Sequence, residues 1–157
     1  MIPNFINNKE KQLVLFDMDG ILAEYVAGEE KAIKNNVQNI YLNKRPIKSI
    51  IQVAEKLSKM KNVEVGILSS CDYSNQVAEK KQWLKKYLPF LQNNKIFIIV
   101  WENQRYTKEN RRFAKLSVIQ DIKGYDKIYL IEDKHDNILA TNTVVEGCAH
   151  HISELLD

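Results

Sequence analysis

Five short apolar runs, separated by longer stretches of helical periodicity, organise the chain. Leu13 to Phe16 is continuous and β-favouring, and Val63 to Leu68 ("VEVGIL") is the second run. Ile96 to Trp101 ("IFIIVW") is the most strongly β-branched, Ile128 to Ile131 ("IYLI") is the fourth, and a weaker run covers Cys148 to Ile152. Near-continuous apolarity over so few residues is what a strand covered on both faces looks like. Between the runs the period changes. Ile47, Ile50, Ile51, Ala54 and Leu57 recur at helical spacing from Pro46 to Met60, with Pro46 suited to a first turn. Further helices are predicted over Asn75 to Tyr87, Thr107 to Ile119 and Asp136 to Thr141. Strands alternating with helices imply parallel βαβ units, hence a three-layer α/β/α sandwich around a mainly parallel sheet.

In such sheets chemistry gathers at the carboxyl ends of the strands. Asp17 and Asp19 follow the first run, Ser69 and Ser70 the second, and Glu132 and Asp133 the fourth. Lys108 stands at the start of the predicted third helix, with Thr107 as its N-cap; Lys115 and Lys123 are alternative cations. Solvation makes strand ends polar, but it does not call for "DMD" after one strand and "ED" after another.

Composition narrows the picture in other ways. The 157 residues suit one domain spanning 1–157, with 45% hydrophobic and 27% charged residues. Lysine and arginine total 23 against 20 acids, interspersed, so the net charge of +3 gives no strong nucleic-acid signal. No apolar run approaches the roughly 20 residues needed to span a bilayer, and residues 1–12 lack the pattern of an export signal. Cys71 and Cys148 form no CxxC pair, so the thiols read as reduced and the protein as cytoplasmic.

Four motifs in order carry a resemblance. "FDMDG" is similar to the first motif of the haloacid dehalogenase-like (HAD) phosphohydrolases, with Ile21 where threonine or valine is usual. "GILSS", Lys108 and "YLIEDKHDN" are similar to the second, third and fourth. The resemblance implies a Rossmann-like sheet, a Mg²⁺ cofactor and catalysis through an aspartyl-phosphate. Asp17 would be nucleophile and metal ligand. Asp19 would be general acid and base, its carbonyl also reaching the metal. Ser69 and Lys108 would bind the phosphoryl group, Asp133 would be the further metal carboxylate, and Glu132 and Asn137 would orient ligands from behind. Glu132 competes with Asp133 for the metal. A dehalogenase would not need the second aspartate or the metal, whereas a phosphotransferase or mutase would share these residues.

Finer resemblance is to the pyrimidine 5′-deoxynucleotidase-like branch, through "DMDGILAEY", the "AEKKQWLKKYLP" helix after the serines, and "IEDKHDN". It implies a small phosphorylated substrate, a nucleoside or deoxynucleoside monophosphate. Residues 22–45 leave room only for a short flap, a minimal cap. An open site also admits a larger substrate, a nucleic-acid end or a phosphoprotein, and oligomerisation could close it. A non-catalytic binding domain is the reading opposed by the intact Asp17 and Asp19.

Overall fold

The first apolar run becomes the centre of the sheet. The computed structural model describes residues 2–103 and 106–155. In it β1 (Gln12–Phe16) pairs in parallel with β2 (Val63–Cys71) on one side and β4 (Lys127–Glu132) on the other. β3 (Ile96–Val100) and β5 (Ala149–His151) complete an all-parallel sheet of order β3-β2-β1-β4-β5. Every residue of β1 is fully buried, as a central strand with both faces covered requires.

Strand alternation divides that burial between two cores. Val14 and Phe16 pack with Ile50, Ala54 and Leu57 of α2 (Lys48–Ser58) and with Trp83 and Leu84 of α3 (Ser74–Tyr87). Leu13 and Leu15 pack on the other face with Ala114 and Ile119 of α4 (Ala114–Asp121) and Ile138 of α5 (His135–Val144). The sheet is therefore the middle of three layers, the expected α/β sandwich. Because all strands run the same way, the ends carrying Asp17, Ser70 and Asp133 meet at one edge.

Element boundaries differ where tertiary pairing overrides local pattern. β2 continues through Ser69 and Ser70 to Cys71, because β3 pairs alongside it as far as Val100. Pro46 lies outside α2: it bridges Ala23, and the Ile47 N–H donates to the Leu22 carbonyl at 2.7 Å. The continuous helix expected over 107–119 is broken. Thr107 caps only a turn, its Oγ1 accepting from the Asn110 N–H at 3.3 Å. A 3₁₀ turn follows over Arg111–Phe113, and α4 starts at Ala114. This moves the helix start away from Lys108 and brings it to Lys115.

Residues 24–45 form the short flap over the sheet edge, containing α1 (Glu29–Lys34). It is tied to α3: the Tyr73 hydroxyl donates to the Lys34 carbonyl at 2.7 Å and the Trp83 Nε1–H to the Lys44 carbonyl at 2.9 Å. Among the described residues, no helix is long and apolar enough to cross a membrane.

Candidate active site

β1 delivers Asp17 to the floor of a cleft of about 360 Å³ at the carboxyl edge. The Asp17 N–H donates to the Ile131 carbonyl at 3.0 Å, which anchors the residue to β4. Its Oδ1 accepts from the Met18 N–H at 2.8 Å, and its Oδ2 lies 3.1 Å from Lys115 Nζ. Burial pushes its carboxyl up to about 6, against the pull of Lys115 and reinforced by the charges of Glu132 and Asp19.

Glu132, at the end of β4, is fully buried and fully employed. Oε1 accepts from the N–H groups of Asp133 and Lys134 at 3.0 and 3.3 Å, and Oε2 accepts from Lys115 Nζ at 2.7 Å and Asn137 Nδ2 at 3.0 Å. Glu132 thereby sets the turn that presents Asp133 and holds the Lys115 ammonium in place. Glu132 and Asn137 thus stand behind Asp17 and Asp133, bonded to each other. Burial alone would lower the Lys115 pKa, but Asp17 and Glu132 overrule it and hold the ammonium charged.

Asp133 stands differently. Its Oδ1 is buried and has no hydrogen-bond partner. Its other oxygen leaves no room at Gly20: a Cβ there would sit 2.5 Å from Asp133 Oδ2. Gly20 also has φ +77°, a left-handed conformation that glycine adopts without steric cost. The tight loop after Asp17 thus closes directly against Asp133. One oxygen from each of Asp17, Glu132 and Asp133 fits within 4.8 Å of the others. Two carboxylates, one orphaned and one pushed towards protonation, form an oxygen-only donor set that suits a hard divalent cation such as Mg²⁺.

Asp19 occupies the other half of the cleft between two buried lysines. Lys80 Nζ, from α3, donates to Asp19 Oδ2 at 2.8 Å, Ser69 Oγ at 2.8 Å and the Ser70 carbonyl at 2.7 Å. Three acceptors satisfy all three ammonium protons. Lys44, from the flap, donates to Asp19 Oδ1 at 2.7 Å and Glu29 Oε1 at 3.1 Å. Burial would raise the Asp19 pKa, but the two ammonium groups hold it down at about 2.

Asp17, Asp19, Glu132, Asp133 and Asn137 therefore come together as the motifs expect, and two other expectations are corrected. Lys108 does not enter the cleft. It is exposed in the turn before α4, and Lys115, in the first turn of that helix, makes the contact with Asp17. The broken helix is the reason. Ser69 is fully buried with its Oγ turned to Lys80, whereas Ser70 lines the cleft. Strand alternation sends the two hydroxyls in opposite directions.

Lys44 and Lys80 were not predicted, nor were Tyr25, Tyr41, Trp101 and Arg111 on the cleft wall. A signal for Lys80 exists in its spacing: it falls on the helical stripe of Gln76, Trp83 and Leu84, where an unpaired charge would be costly. Nothing local marks Lys44. The cysteines are buried and unbridged, and burial pushes both thiols up to about 11, so neither supplies a thiolate at neutral pH.

No family model and no curated protein matches the sequence. Solved structures do resemble the fold. One is a chain of the Pnkp1/Rnl/Hen1 complex, with TM-score 0.68 and 14% identity over 92% of this chain and 47% of that chain. Another belongs to the Pnkp1/Rnl/Hen1 RNA repair complex, with TM-score 0.68 and 16% identity over 92% of this chain and 43% of that one. This chain spans less than half of either neighbour, and at such identity the likeness establishes a shared α/β architecture.

Proposed function

We propose that the chain is a Mg²⁺-dependent phosphomonoester hydrolase of the HAD-like type, acting through an aspartyl-phosphate on Asp17. The observation that carries this reading is the pairing of Asp17, backed by Lys115, with the orphaned Asp133 oxygen across the Gly20 loop. Asp17 and Asp133 would hold the ion, with the Asp19 carbonyl as the further ligand that the resemblance implies. An ion held there would supply the positive charge that offsets the negative charges of carboxylate and phosphate.

The chain's own groups do the rest. Asp17 attacks phosphorus, the ester P–O bond breaks, and Asp19 gives its proton to the departing oxygen. Water then loses a proton to Asp19 and attacks the same phosphorus, releasing phosphate and restoring Asp17. Lys115 keeps Asp17 oriented and spreads charge off the phosphoryl oxygens. In the ligand-free form Lys44 and Lys80 hold Asp19 ionised. Asp19 itself reaches the cleft, where the negative charge of an entering phosphate raises its proton affinity and lets it take up from water the proton it must deliver.

For the substrate, the deoxynucleotidase-like resemblance favours a nucleoside monophosphate, and Tyr25 and Trp101 supply aromatic rings on the cleft wall. A phosphorylated nucleic-acid end has separate support: the cleft continues sideways into an open basic region, and chains of like fold occur in an RNA repair complex. The test is phosphate release from a panel of phosphomonoesters with and without Mg²⁺. Metal-dependent release that Asp17→Asn abolishes, with circular dichroism unchanged, is expected. Full activity of Asp17→Asn, or activity indifferent to metal removal, would sink the mechanism.

A further inference from the structure

A second cleft adjoins the first and shares Arg111, Lys134 and Asn137 with it. The turn before α4 contributes Lys108, Arg111 and Arg112, and the β4–α5 turn contributes Lys134. Against these four cations stand Glu109 and Asp136, besides Asp133, which belongs to the proposed metal site. Among the described residues, Lys108, Arg111, Arg112 and Lys134 make no salt bridge.

The buried lysines behind the first cleft, Lys44, Lys80 and Lys115, are by contrast each committed to carboxylates. Arg111 stands at the junction, its guanidinium 4.8 Å from the centroid of the Trp101 ring and its Nε buried without a hydrogen-bond partner. Uncommitted cations leading away from a phosphate site, with an aromatic ring at the junction, match a substrate bearing more anionic groups beyond the one that reacts. Repeated phosphodiesters joined by flat bases meet both features, charge and stacking. A guanidinium fork adds two-point recognition of phosphate.

We propose that the second cleft binds the phosphodiester backbone of a nucleic-acid strand whose phosphorylated end lies at Asp17. This rests on the reading of Asp17 as a phosphomonoesterase nucleophile, and extends it from the reacting phosphate to the strand that carries it. A mononucleotide would fill only the first cleft and leave the second unused.

The experiment compares phosphate release from a mononucleotide, from a phosphopeptide and from ten-residue DNA and RNA strands phosphorylated at either end, in Mg²⁺. The double variant Lys108→Glu/Arg112→Glu is measured beside the native chain. Both positions are exposed and outside the catalytic cleft. The native chain is expected to prefer a strand, and the DNA, RNA, 5′ and 3′ arms identify which. The variant should raise KM for that strand about tenfold or more and reduce its salt dependence by about 0.7 per lost contact. Its kcat/KM for the mononucleotide should stay within about twofold.

Equal loss on both substrates, no loss on either, or a native preference for a phosphopeptide overturns the second cleft as a nucleic-acid site. If the native chain releases phosphate from nothing, it is the phosphatase reading that fails. Anisotropy of a fluorescent strand then tests the cleft alone: weaker binding by the double variant supports it, and unchanged binding overturns it.

Discussion

Two sets of cations follow opposite rules, the first buried behind the catalytic cleft and the second exposed along the cleft beside it. In the first, Lys44, Lys80 and Lys115 have side chains no more than 6% exposed, and each ammonium is held by carboxylates. In the second, Lys108, Arg112 and Lys134 are exposed and uncommitted among the described residues. The difference follows from solvation. A buried ammonium without a counter-charge is costly, so burial forces pairing and makes the lysine part of a fixed apparatus. An exposed one keeps its water and can exchange it for a ligand's phosphate. Lysine content therefore says little about function here, while lysine burial says a great deal.

The sharpest way to break this comparison is to remove one lysine from each cleft. Lys115→Ala strands Asp17 and Glu132, two buried carboxylates, and should cost about 3–5 kcal/mol of stability and nearly all activity. Lys108→Ala should stay within about 0.5 kcal/mol and keep mononucleotide turnover. Urea unfolding and phosphate release measure both, and similar losses at the two sites would erase the distinction.

Lys80→Met tests the other half of the first cleft. It keeps the side-chain bulk but removes the donor shared by Asp19, Ser69 and the Ser70 carbonyl, a loss of about 2–3 kcal/mol. Combining it with Asp19→Asn should cost less than the sum of the single changes, because the two side chains share one interaction. Strict additivity in a double-mutant cycle would show that the pair is not coupled.

Gly20→Ala should cost about 1–2 kcal/mol for the left-handed backbone alone. The new methyl also drives against Asp133 Oδ2, so thermal stabilisation by Mg²⁺ should shrink relative to the native chain. Undiminished stabilisation would place the ion away from Asp133.

The smallest expected effect is on stability against pH. The folded chain raises the Asp17 pKa from 3.8 to about 6, so in the absence of metal its ionisation opposes folding above that range. Metal-free Asp17→Asn should therefore melt a few degrees higher than the native chain at pH 7.5, about what 1 kcal/mol gives in a domain of this size. The gap should close as pH falls from 6 to below 4, where native Asp17 is protonated in both states. A gap that widened on acidification would reverse the sign of the argument.

Much of the fold was legible because burial leaves a periodic record. All five strands fall on the apolar runs, and the alternation of Leu13 and Leu15 with Val14 and Phe16 became the division between two cores. The clustering of Asp17, Asp19, Glu132 and Asp133 was legible because they stand at or just beyond the ends of β1 and β4, which a parallel sheet sets side by side. Lys108 was misplaced because its position depended on where a helix begins. That start is set by a turn at Thr107 and a 3₁₀ segment, and their energies differ little from that of continuous helix.

The sequence by itself determined the parallel α/β sheet, the order of its strands along the chain, and which strand ends carry acids. These follow from short-range periodicity and from residues that sit next to one another. Only the tertiary structure decided that Lys115 rather than Lys108 meets Asp17, that Ser69 turns inward while Ser70 faces the cleft, and that Lys44 and Lys80 close on Asp19 from 25 and 61 residues away. A charge acts through distance in space and through the solvent around it. Neither quantity exists until the chain has folded and shown which ammonium groups lose their water and which keep it.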